Sequence, residues 1–187
     1  MKNTLKKMSY FVAAAGLVGS MGVNAAPGIS YNYAALQFID QDVDDYDCNQ
    51  DGLRLSGSLE LNDDFFAVGS YSDVSGGRCG SEAFGAGLGY RTLFGADSSL
   101  YGTLGAENVS PDQGSSDSGL VVAAGLRGFI QTNLEAKVQL AHHTTFDGNT
   151  ILSGGIAYWF APAFSATADV GLGTESSEIG VGVRMNF

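Results

Sequence analysis

His142 and His143 are the only histidines in the 187-residue chain, and the hydroxyls of Thr144 and Thr145 follow directly. An imidazole, a hydroxyl and a carboxylate are the parts of a hydrolytic site, with the imidazole as general base and the hydroxyl as nucleophile. In an extended strand, however, neighbouring side chains point to opposite faces, so only one of the two histidines can serve any one site. A structural or interfacial pair is the plainer reading. No P-loop, zinc spacing, nucleophile elbow or nucleotide fingerprint accompanies it, so no catalytic residue and no cofactor is assigned.

A second candidate lies upstream. The stretch DQDVDDYDCNQDG holds six aspartates in twelve residues, and Asp47, Asn49, Asp51 and Gly52 match D-x-N-x-D-G, the opening of an EF-hand calcium loop. The motif then fails. The twelfth position counted from Asp47 is Ser58, where such a loop needs a bidentate glutamate. A solvated acidic loop is favoured, with divalent cations as its counter-ions. Cys48 sits in the same stretch and Cys79 is the only other cysteine, which leaves one intramolecular pairing. In an oxidising compartment the two would form a disulfide closing about 32 residues, worth about 3–4 kcal/mol on the chain-entropy model.

Ten further charges fall in a regular pattern: Arg54, Glu60, Arg91, Glu107, Arg127, Glu135, Lys137, Asp169, Glu178 and Arg184. Each stands on the polar side of a segment that alternates apolar with small or polar residues, the period-2 signature of a strand. In GLRLSGSLELN, Leu53, Leu55, Leu59 and Leu61 face away from Arg54, Ser56, Ser58 and Glu60. In EAFGAGLGYRTL, Phe84, Leu88 and Tyr90 oppose three glycines and Arg91. The same alternation runs through SLYGTLGAENV, GLVVAAGLRGFIQ, LEAKVQLAHHTTF, ILSGGIAYWF, AFSATADVGLG and the closing EIGVGVRMNF. Two stretches leave the phase open. ISYNYAALQFI loses it near Ala35, where a bulge would account for the slip, and FFAVGSYSDV fits either phase.

That makes ten strands. Their connections alternate between short (Asn62–Asp64, Gly95–Ser98, Thr132–Asn133, Ala161–Ala163) and generally longer (Asp40–Asp51, Ser75–Ser81, Ser110–Ser118, Asp147–Thr150, Thr174–Ser177). Along the eight well-phased strands the greasy face carries no clear charge. A β-sandwich would send its charges outward to water, so the expected fold is all-β, a closed antiparallel transmembrane barrel with the greasy face turned out to lipid. Inside, five bases meet five acids. Unpaired buried charge is costly and a small barrel has little spare interior, so the balance favours a lumen filled by ion pairs over a polar pore. Trp159, Tyr101 and Phe129 add bulk opposite inward glycines such as Gly89 and Gly125.

The first residues fit that setting. Lys2, Lys6 and Lys7 precede an apolar Gly/Ala-rich stretch from about Met8 to Met21, then Val23-Asn24-Ala25, the layout of a secretory signal peptide cleaved after Ala25. The expected domains are therefore a signal peptide, 1–25, and a barrel, 26–187. Cleavage leaves 162 residues with 6 Lys/Arg against 20 Asp/Glu, a formal charge of −14. That charge argues against nucleic acid as a partner.

The signal peptide, the repeated hairpins and the VGVRMNF ending resemble the small outer-membrane β-barrel proteins of Gram-negative bacteria, the OmpA/OmpX-like class. The resemblance implies an integral outer-membrane location, contact with outer-membrane lipid and lipopolysaccharide, and recognition of the terminal Phe187 by the barrel-assembly machinery. Eight-stranded members of that class have two strands fewer than the ten counted here, so eight is the alternative. Outer-membrane proteases of the omptin kind pair Asp with His on a longer barrel, and outer-membrane lipid A deacylases use His and Ser where this chain has His143 and Thr145. The implied function is non-enzymatic, envelope-structural or surface-interacting. A narrow porin-like channel is the alternative, and a lipid-modifying enzyme or protease stands behind both.

Overall fold

The computed structural model describes residues 28–43, 48–76, 79–95 and 97–187. The expected signal peptide, 1–25, and Asp47 of the candidate calcium loop lie outside the described residues. Ten strands follow one another: β1 Tyr33–Val43, β2 Cys48–Glu60, β3 Phe65–Ser75, β4 Ser81–Leu93, β5 Ser98–Pro111, β6 Asp117–Gln131, β7 Leu134–His143, β8 Asn149–Ala161, β9 Phe164–Gly173 and β10 Ser176–Asn186. Each pairs antiparallel with its sequence neighbours, and β1 pairs with β10 from Tyr33↔Asn186 to Val43↔Ser176, so the sheet closes. Closure satisfies the backbone of every strand without water, which is the condition for crossing hydrocarbon.

The faces are inverted relative to a water-soluble fold. Leu53, Leu104 and Leu172 on the outside are 53%, 60% and 61% exposed, whereas Arg127, Glu135 and Arg184 inside are 5%, 3% and 8% exposed. Outward aromatics gather toward the two rims. At the short-turn rim stand Phe65 against Tyr90, with centroids 5.3 Å apart, Phe160 stacked on Phe164, and Phe94 and Phe187. Tyr71 opposite Phe84, with Phe146, stands toward the other rim. An apolar band between aromatic girdles is what a bilayer selects on a barrel's outer wall.

Several expectations need correction. β1 has no bulge at Ala35; its register runs unbroken against both neighbours. The apparent slip arises because Tyr33, Ala35 and Ile39 point into the lumen, so apolar residues lie on both faces. The bulges fall instead at Phe129/Gln131 and Trp159/Ala161, at the ends of β6 and β8, and the first carries Gln131 to an exposed position rather than an inward one. In β3, Phe66 is inward and 2% exposed while Phe65 faces out at 49%. The supposed loop Asp40–Asp51 is largely strand: β1 continues to Val43 and β2 begins at Cys48, with Asp42 opposite Asn49 and Asp40 opposite Asp51. Asn49 and Asp51 therefore sit on an extended strand rather than in a coordinating loop, and Asn49 Nδ2 donates to Asp40 Oδ1 at 3.1 Å.

Candidate functional site

All ten inward charges face the lumen, and the closed sheet determines who meets whom. Four contacts reach over one intervening strand. Arg54 on β2 donates through both Nη atoms to the Glu178 carboxylate on β10, 2.5 Å each. Arg91 on β4 meets Glu60 on β2 at 2.8 Å, and Lys137 on β7 meets Asp169 on β9 at 3.0 Å. Glu107 on β5 accepts from His143 on β7, with Nδ1–Oε2 at 2.9 Å. The Lys137 bridge shows how the sequence permits this: Lys137, Gly155 and Asp169 form one cross-strand row. A Cβ at Gly155 would collide with the Asp169 carboxylate, so glycine in the middle lets the acid lie across it.

Toward the short-turn rim the lumen is full. Glu135 is held by Arg127 from β6 and by Arg184 from β10, the latter through Nη1–Oε1 at 3.1 Å and Nη2–Oε2 at 2.7 Å. The Arg184 guanidinium also lies over Trp159, 4.6 Å from the ring centroid, and over Tyr33. Facing this group is the Arg91–Glu60 pair. Between the two sits Tyr31, 3% exposed, with Arg91 and Arg127 over its ring at 4.9 and 5.0 Å. Desolvated cation–π contacts of this kind add about 2 kcal/mol each. Phe66 and Tyr101 complete the cluster, their rings 4.4 and 6.0 Å from Tyr31. Gly89 and Gly125 make room, since a Cβ there would enter the Phe66 and Tyr101 rings respectively.

Above this floor a cavity of about 340 Å³ remains, walled by small residues and by Gln37, Gln139, Lys137, Asp169, Glu107 and His143. Gln37 Nε2 donates to Asp169 Oδ2 at 2.7 Å, and Tyr101 Oη donates to Gln139 Oε1 at 2.7 Å. The sequence leaves Tyr31 and Phe66 open between lipid and lumen and puts Gln139 on the polar side of its strand, but it singles out neither these three nor Gln37 as site residues. Their signal lay in the two strands of ambiguous phase and in neutral amides that charge counting passes over.

The histidines separate as strand alternation requires. His142 faces outward, its Nδ1 2.9 Å from Thr150 Oγ1. Thr145 donates to Glu107 Oε1 at 2.8 Å, so hydroxyl and imidazole share one carboxylate and the hydroxyl is not bonded to the imidazole. A triad needs the base on the nucleophile, and here both hang on the acid. Cys48 and Cys79 are joined by a disulfide, Cα atoms 6.4 Å apart, tying the start of β2 to the β3–β4 connection.

No family model matches the chain, and no curated protein matches it. Solved structures do. An outer-membrane channel from Pseudomonas putida F1 superposes with a TM-score of 0.56 at 9% identity, covering 90% of this chain and 100% of that one. The KdgM porin in complex with disordered oligogalacturonate gives 0.51 at 13% identity, covering 83% of this chain and 99% of that one. The fold is that of the small outer-membrane β-barrels. At these identities the likeness is one of fold alone. The barrel's own lumen must therefore supply the argument for what it does.

Proposed function

We propose that this protein is an integral outer-membrane barrel of non-enzymatic, envelope-structural or surface-interacting function, its lumen sealed toward the periplasm. One observation carries the reading: the short-turn end of the lumen is occupied by the Tyr31, Phe66 and Tyr101 rings between the Arg91–Glu60 pair and the Arg127–Glu135–Arg184 group. Among the described residues each inward base has an acid partner, with Arg127 and Arg184 sharing Glu135. The residues that meet the outside are acidic. Asp40 stands opposite Asp51, and Asp73 opposite Glu82, on outward strand faces near the long-loop rim. Like charges directly opposite are unfavourable on their own, and a lipopolysaccharide surface bridged by divalent cations suits them. The signal peptide, 1–25, would deliver the chain across the inner membrane.

A narrow channel is the second reading, and the cavity above the floor is what favours it. Single-channel conductance of the refolded mature chain, residues 26–187, in a planar bilayer separates the two. Silence from folded protein is expected; a steady conductance would replace the sealed barrel with the channel.

A further inference from the structure

Of the three rings that seal the lumen, Phe66 and Tyr101 belong to the wall and Tyr31 does not belong to the sheet. β1 begins at Tyr33, and residues 28–32 precede it with no strand pairing. This short run is held by groups from the wall. Tyr31 N–H donates to Glu60 Oε1 at 2.7 Å, Arg127 Nη1 donates to the Ser30 carbonyl at 2.9 Å, and Tyr31 Oη lies 2.9 Å from Ser99 Oγ. The ring contacts Arg91 on one side of the arrangement and Arg127 on the other, members of two separate ion-paired groups. Those two groups remain internally paired whether or not Tyr31 is present, because Arg91 has Glu60 and Arg127 has Glu135. The wall is self-sufficient, and the tyrosine is the wedge between its halves.

We infer that the N-terminal segment, through Tyr31, is a stopper, and that the barrel behind it is a latent ion pore. This rests on the sealed reading above and deepens it. With the wedge withdrawn, a gap beside the Phe66 and Tyr101 rings joins the cavity to the short-turn rim, bordered by three guanidinium groups (Arg91, Arg127, Arg184) and two carboxylates (Glu60, Glu135). A constriction lined by an excess of arginine selects for anions, so small inorganic anions such as chloride are the species it would pass. A stopper outside the ladder can leave without breaking a strand pair, whereas a plug built from wall side chains cannot.

The test compares three refolded chains in a planar bilayer with potassium chloride: the mature protein, Tyr31→Gly and Tyr31→Phe. Folding of each is verified beforehand by the mobility shift between unheated and heated samples in detergent electrophoresis. The expected result is silence from the mature protein and from Tyr31→Phe, which keeps the ring, and discrete openings from Tyr31→Gly. Across a chloride gradient, the reversal potential of those openings should take the sign for anions. Should Tyr31→Gly fail to fold, the chain shortened to begin at Asn32 keeps every strand and replaces it. Silence from a folded open variant overturns the stopper while leaving the sealed barrel standing. Conductance already present in the mature protein overturns the sealed reading and the stopper with it. Openings in Tyr31→Phe equal to those of Tyr31→Gly overturn the role of the ring, and a cation-sign potential overturns the assigned selectivity.

Discussion

Arg184 reaches Glu135 across two intervening strands, and the carboxylate it grips is also held by Arg127 from the adjacent one. One buried acid thus pairs with two buried bases. Removing it strands both guanidinium groups in the lumen, where breaking a buried pair costs about 3–5 kcal/mol. Glu135→Ala should lower the unfolding free energy by that order. Glu178→Ala should cost less, because the Arg54–Glu178 side chains are 30% and 21% exposed and water can take over. Urea titration in detergent or vesicles reads both, and equal losses would contradict the arrangement.

The outer wall makes a prediction opposite to that for a soluble protein. Leu104 is 60% exposed and sits midway along β5. On a water-facing surface Leu104→Arg would shift stability by about 0.5 kcal/mol or less. On a lipid-facing wall near the midplane it should destabilise by about 2–4 kcal/mol. A neutral result in lipid vesicles would mean that the greasy face does not meet hydrocarbon.

Cys48 and Cys79 lie 31 positions apart and staple the start of β2 to the β3–β4 connection. Non-reducing peptide mass mapping should recover the two cysteine peptides as one species. Reduction should then lower stability by about 3–4 kcal/mol on the chain-entropy model. Labelling of both thiols without prior reduction would refute the link.

His143 and Thr145 both bond Glu107, so His143→Ala should leave ester and peptide hydrolysis by the refolded barrel at the level of the unaltered protein. Loss of a measurable hydrolysis in that variant would bring the enzymatic reading back.

Phe187 closes the chain next to the seam, its N–H donating to the Asn32 carbonyl at 3.2 Å, while its side chain is 66% exposed. Deleting it should reduce the amount of assembled barrel in cells while leaving refolding of the purified chain in detergent close to normal. An equal drop in both would make the residue structural rather than an assembly signal.

Ten segments, with eight strands held as the alternative, followed from alternation and the spacing of the connections, and on the well-phased strands so did the side of each residue up to the bulge before Gln131, because in extended backbone the facing of a side chain is a local property with period two. That is why Arg54, Arg127 and Glu135 were legible as inward from a few residues on either side. It failed where both faces are apolar: β1, with Tyr33 and Ile39 inside, and β3, with Phe66 inside and Phe65 outside. There the pattern holds no contrast, and only closure against the neighbouring strands decides. The partners were also beyond reach of the sequence. Arg54 and Glu178 are 124 positions apart, and nothing local distinguishes Glu178 from Asp169 as the acid that Arg54 should meet. The choice depends on the stagger and curvature of the closed sheet, which set the height and direction at which each side chain enters the lumen. The same closure, bringing the ends of β1 and β10 together at one rim, placed Tyr31 between two arginines that the sequence could only count.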